Sequence, residues 1–210
     1  MKKGKVLNLR GINNFLEFVR LNNLILLLTL FLIIGFVFGV FTLNKYSFSQ
    51  TYAQNFVTEF IADRTNSNIL KITFVSFISS MFFMVASFVG GTSIIGMVLV
   101  PCFVAVKGYL YGIVSALLYS EYSLKGIAFH AVILMPSALI FIIAYLFSSR
   151  ESVRFSLIMG KLTLPITVPA NLSYDFKNYC GKNLLFCLLV LLSALTDAVI
   201  STNFLSRFVL

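Results

Sequence analysis

Charge is scarce in this chain. Of 210 residues only 11 % are Asp, Glu, Lys or Arg, against about 25 % in soluble domains. That shortage excludes a soluble globule. Cysteine is also sparse: Cys102, Cys180 and Cys187 are an odd number with no Cys-x-x-Cys pair. They exclude a disulfide framework and read as small apolar fillers. There is no His-Glu-x-x-His, no Cys/His cluster and no pair of carboxylates inside an apolar run, so a metal or other cofactor has no evident ligand set. No internal repeat is present, which argues against an inverted-repeat transporter. No Ala-x-Ala site follows the first apolar run, so that run is expected to stay as an uncleaved helix.

What the chain has in abundance is apolar sequence, 59 % of it, in long blocks rather than at amphipathic spacing. Lipid offers no partner to a backbone N–H or C=O, so each block must satisfy its own by coiling into a helix. The expected fold is all-α: one polytopic membrane bundle of about five spans, at residues 24–43, 72–89, 94–119, 126–147 and 184–204. Residues 1–23 form a basic cytoplasmic lead-in. Its Ile12, Phe15, Leu16 and Val19 share a helical face that would lie on the membrane surface. An outer loop is expected at 44–71 and an inner loop at 148–183, the latter broken into short interfacial pieces by Pro165 and Pro169. The third span has 26 residues, which is about 39 Å of helix against a hydrocarbon core of about 30 Å. It must tilt, kink or break, and Pro101 and Lys107-Gly108 are the places for it.

Orientation follows from the cations. Crossing five times with the N-terminus inside leaves Lys2, Lys3, Lys5, Arg10, Arg20, Arg150, Arg154, Lys161, Lys177 and Lys182 on the cytoplasmic side. Lys45, Arg64, Lys71, Lys125 and Arg207 then lie outside. Were the third span only to dip in and return, the excess would vanish, so N-in, C-out is expected. The net charge of +9 is thereby explained without nucleic acid, by attraction to the anionic inner leaflet of the membrane.

Three ionisable residues fall inside spans: Lys107, His130 and Asp197. Each is costly in hydrocarbon and is expected to face the bundle interior with a partner. Lys107 and Asp197 stand at equal counts from the inner ends of parallel helices, which suggests an ion pair; the alternative is that each finds its own partner. His130 would either face Asp197 as a proton relay or simply bond a neighbouring helix. A serine-protease arrangement is argued against: Gly91-Thr92-Ser93 lacks the second glycine of the nucleophile motif, and Ser93 and His130 sit at opposite faces. An enzyme is not expected. Gly35-x-x-x-Gly39 and the glycines of the third span allow close helix approach, either within the chain or with a partner.

Four segments together, Gly91-Thr92-Ser93-Ile94-Ile95-Gly96, Lys107-Gly108-Tyr109-x-x-Gly112, Met135-Pro136 and Phe155-Ser156-Leu157, resemble the stage II sporulation protein M family over roughly residues 90–158. The chain departs from the family pattern at Met97-Val98, where a proline is usual, and at Ser137-Ala138, where Gln-Asn often follows. The resemblance implies a non-enzymatic scaffold that positions peptidoglycan-degrading proteins during engulfment or a related envelope process. Its partners would be other membrane or envelope proteins, or further copies of the chain. The Gly91–Gly96 turn, with Ser93, and Lys107-Gly108 would then be architectural. The competing reading is a small permease-like transport subunit, supported by the Pro101- and glycine-interrupted third span with its Lys107, by Pro136, and by the His130/Asp197 neighbourhood.

Overall fold

The computed structural model describes residues 23–45, 55, 64, 68–163 and 172–204. The amphipathic face of residues 12–19, most of the polar stretch 44–71, Pro165 and Pro169 lie outside the described residues. Among those described the chain is helical throughout, apart from Asn68 and the turn Thr92–Ile95. The elements are α1 (Asn23–Lys45), α2 (Ile69–Gly91), α3 (Gly96–Phe129), a π-helical turn (His130–Leu134), α4 (Met135–Thr163) and α5 (Leu172–Phe204). Five helical stretches are long and apolar enough to cross a bilayer: 23–43, 69–91, 96–120, 122–161 and 172–204.

Threonines live in these helices by returning their hydroxyls to the preceding turn, as Thr29 does to the Ile25 carbonyl (2.7 Å) and Thr73 to that of Ile69 (2.9 Å). The one break inside α3 is Ser123, at φ 48° and ψ −124°. This is the geometry of the first central residue of a type II′ turn, where glycine is the usual occupant. There the chain doubles back, and a Cβ at Gly126 would overlap the Leu118 carbonyl. Nothing breaks the helix earlier. Pro101 and Gly108 are buried in continuous helix, so the over-long third crossing keeps its length rather than breaking. Pro101 lies only in the second turn, where its missing N–H forfeits a single bond, to the carbonyl of Met97.

Helix directions follow from the pairings. Gly35 abuts Ala105 and Gly39 abuts Tyr109, so α1 and α3 run parallel. Ser148 meets Asn183 and Ser137 meets Asp197, so α4 and α5 are antiparallel. Ser87 meets Tyr145 and Gly91 meets Ser152, so α2 and α4 are parallel. The crossings therefore alternate, and α1 begins at the opposite end of the bundle from where α5 finishes. One end carries the Gly91–Gly96 turn (the turn end) and the other carries Ser123 (the hairpin end).

Helix α4 does not stop at residue 147. It continues to Thr163, and α5 starts at Leu172 rather than at residue 184, so much of the 148–183 stretch is helix. The two run past the Gly91–Gly96 turn as an antiparallel pair, tied by Lys182 to Glu151 (2.8 Å) and by Phe155 against Phe176.

The core has two centres. Leu28, Met84, Val100, Val104, Phe141, Tyr145, Val153 and Val190 pack in the middle of the bundle, and Leu43, Leu117, Leu118, Phe129 and Ile133 pack at the hairpin end. Within this framework α1 is zipped to α3. A Cβ at Gly35 would overlap the Ala105 carbonyl, at Gly39 that of Tyr109, at Gly108 that of Leu32 and at Gly112 that of Phe36. The close-approach glycines are used inside the chain, by two helices that could not otherwise touch backbone to backbone.

Candidate functional site

The interior polar groups gather at three levels between the helices. Nearest the hairpin end, the π-helical turn brings His130 back over α3. Its Nε2 meets Ser115 Oγ at 3.0 Å and its Nδ1 meets Tyr119 Oη at 3.0 Å. Both ring nitrogens are thus engaged by α3. The turn exists because of Pro136, which has no N–H to return to the Val132 carbonyl. The backbone widens so that Met135 N–H bonds the His130 carbonyl, five residues back. Ser137 then answers the Leu134 carbonyl with its hydroxyl (3.1 Å) and takes Ser193 Oγ on its own carbonyl (2.7 Å). Pro136 is thereby the device that aims His130 and Ser137.

Asp197 is buried on α5 and is held by Arg64, not by Lys107. Arg64 Nη1 donates to Oδ1 at 3.0 Å, and Nη2 donates to Oδ2. Ser76 Oγ donates at 2.6 Å, and Ser137 Oγ stands 3.4 Å from Oδ1. Arg64 also bonds Ser201 (2.9 Å) and Ser76 (3.3 Å). The two charged side chains are 9 % and 8 % exposed, so the fork-to-fork pair works away from water, where it is strongest. Burial lowers the Arg64 pKa from its ordinary value, while the charge and hydrogen bonds of Asp197 oppose that shift; arginine stays protonated regardless.

The expected Lys107–Asp197 pair is therefore absent, and so is the His130–Asp197 relay. Equal counts do not give equal depths, because α5 begins twelve positions before residue 184, at Leu172. Asp197 stands level with Ser137 and Ser76. Lys107 stands level with Phe141 and Phe83, one to two turns nearer the turn end, or about 6–10 Å along the helices. Lys107 Nζ lies over three rings, 4.5 Å from the centre of Phe83, 5.0 Å from Phe141 and 5.1 Å from Tyr111. Three ring faces supply the negative potential that a carboxylate was expected to supply. Among the described residues no ion pair involves Lys107.

At the turn end, the Gly91–Gly96 segment docks onto α4 and α5. Ser156 Oγ donates to the Ser93 carbonyl (2.8 Å) and approaches that of Ile94 (3.2 Å). A Cβ at Gly96 would overlap the Gly90 carbonyl, and one at Gly91 would press on Ser152 and Tyr179. Tyr179 locks this corner. Its ring lies between Phe88 (4.9 Å) and Phe155 (4.7 Å), nearly parallel to both. Its hydroxyl donates to the Phe88 carbonyl (2.9 Å) and meets Ser152 Oγ (2.9 Å). The Gly91–Gly96 and Phe155–Ser156–Leu157 segments, bonded across 62 and 63 positions of sequence, form one joint. Ser93 has its carbonyl, not its hydroxyl, in that joint. It shares no site with His130, which is at the other end.

The family model for Stage II sporulation protein M matches residues 28–202. This chain belongs to the stage II sporulation protein M family. No curated protein and no solved structure matches it. The family match takes in all five spans, well beyond the segments that carry the resemblance in sequence. The short segments that carry the resemblance in sequence are joints in this chain: the turn against Ser156, the Gly108 and Gly112 face against α1, and the Pro136 widening.

Sequence reasoning missed Arg64, which was placed in a solvated loop, and Tyr179, which was placed in a polar one. A signal existed for both. Ser193, Asp197 and Ser201 recur every four residues on α5, and Ser137, Ser148, Ser152 and Ser156 share one face of α4; both stripes are buried. Polar stripes inside apolar helices call for partners of opposite character on neighbouring elements. Among the described residues no group of three or more His, Cys, Asp or Glu is placed to hold a metal ion.

Proposed function

We propose that this family member is a non-enzymatic scaffold of the bacterial cytoplasmic membrane, N-terminus inside and C-terminus outside, that organises envelope proteins such as peptidoglycan-remodelling factors. The observation that carries this reading is that the groups a catalyst would use are spent on holding helices together. Asp197 is enclosed by Arg64 and two serines, His130 has both nitrogens taken by α3, and the Ser93 turn is pinned to α4. What the bundle offers outward is apolar helix: Leu30, Ile33, Phe38 and Phe41 on α1, and Phe74, Ile78 and Phe82 on α2. Such ridges suit packing against other membrane helices, whether of partners or of further copies.

The test is recovery of the tagged chain from its own membranes in mild detergent, with quantitative mass spectrometry. A scaffold enriches wall-remodelling enzymes over an unrelated five-span protein, and its removal displaces them. Enrichment of ATP-binding subunits alone would turn the reading to transport. Reporters at the two termini should fall on opposite sides of the membrane.

One observation favours the second reading, a permease-like subunit: Lys107 is a cation in the bundle interior without an ion-pair partner among the described residues. Lys107→Met separates the two. A scaffold keeps its partners, whereas a transporter loses flux.

A further inference from the structure

Helices α2 and α5 leave an open groove between them. Met81, Met84 and Phe88 form one wall and Cys180, Leu184 and Cys187 the other, around a volume of about 190 Å³. Its surface is almost wholly apolar, and it is smaller than the cavities that enclose drug-sized molecules, about 300–1,000 Å³. It is an open trough with room for a stretch of hydrocarbon chain.

Position says what would fill it. Both walls belong to helices long and apolar enough to cross a bilayer. Phe88 stacks on Tyr179, and Tyr179 stands against Gly91, so the groove ends level with the Gly91–Gly96 turn that closes the apolar length of α2. Three residues before Cys180, on the same face of α5, stands Lys177. It is exposed, and among the described residues it forms no ion pair. The nearby Lys182 and Arg154, by contrast, are engaged with Glu151. A hydrocarbon trough that closes at headgroup depth beneath an exposed ammonium has the two-part chemistry of a phospholipid with a net negative headgroup.

We propose that the α2–α5 groove is a binding site for an anionic phospholipid, one acyl chain lying between Met84 and Leu184 and the phosphate at Lys177. The proposal depends on the bilayer setting and not on the scaffold reading, so either stands if the other fails.

The chain contains no tryptophan, which makes the test clean. Leu184→Trp places the sole tryptophan at the groove, and Val98→Trp, in a second variant, places it on exposed α3. Each protein is reconstituted in phosphatidylcholine vesicles and titrated with brominated phosphatidylglycerol or brominated phosphatidylcholine. The groove tryptophan should be quenched by the anionic lipid with about a fivefold preference, the worth of one lysine at a charged membrane surface. Adding Lys177→Gln should abolish that preference at the groove and leave quenching at position 98 unchanged. A groove signal indifferent to headgroup charge, one that survives Lys177→Gln, or an equal effect of that substitution at both positions would overturn the proposal.

Discussion

The Arg64–Asp197 pair can be weighed by a double-mutant cycle. Both side chains are more than nine-tenths buried, and the carboxylate accepts from both terminal guanidinium nitrogens and from Ser76, with Ser137 Oγ 3.4 Å away. Asp197→Asn leaves the guanidinium buried without a countercharge, and Arg64→Gln leaves the carboxylate with only its serine donors. Breaking a buried pair from one side costs about 3–5 kcal/mol. Two hydroxyls remain to soften the loss, so each single change should cost about 3 kcal/mol, the low end of that range. The double variant buries neither charge, and should be more stable than the sum of the singles by at least about 2 kcal/mol, within the span seen for directly interacting residues. Lys107→Met combined with Asp197→Asn should instead be additive to within about 0.5 kcal/mol. Unfolding free energies measured by steric trapping in bicelles would supply all the terms. Additivity at Arg64/Asp197 together with strong coupling at Lys107/Asp197 would refute the assignment of partners.

Other expected outcomes bear on the joints. Gly108→Leu or Gly112→Leu drives a side chain into the α1 backbone and should cost at least about 1–3 kcal/mol, the usual penalty for overpacking. The same assay reads it, and Ala105→Gly should be mild by comparison. Tyr179→Phe keeps the stack between Phe88 and Phe155 but loses two hydroxyl bonds, and should cost about 1–3 kcal/mol. Tyr179→Ala also empties the stack, and should cost about 3–5 kcal/mol. Ser123→Gly relieves a positive φ and should raise stability by up to about 1–3 kcal/mol, seen as a higher midpoint of thermal unfolding in detergent.

The membrane setting, the helical class and the number of crossings were written in the sequence. Apolar runs of spanning length admit only one backbone solution where water is absent, so no tertiary information was needed to read them. The glycines of α1 and α3 announced close approach, because a missing side chain has meaning before its neighbour is known. Pairing was not legible in the same way. Lys107 called for a counter-charge, and the fold answered with three aromatic rings from α2, α3 and α4 that no spacing along the chain relates. Asp197 called for a cation, and received Arg64 from 133 positions away. Depth along a helix could not be counted from hydropathy either, because α4 and α5 run on beyond their apolar stretches and shift the origin of every count. A sequence records what each span must hide; only the packing of the five decides which groups hide together, because that depends on the rotation and offset of each helix against the others.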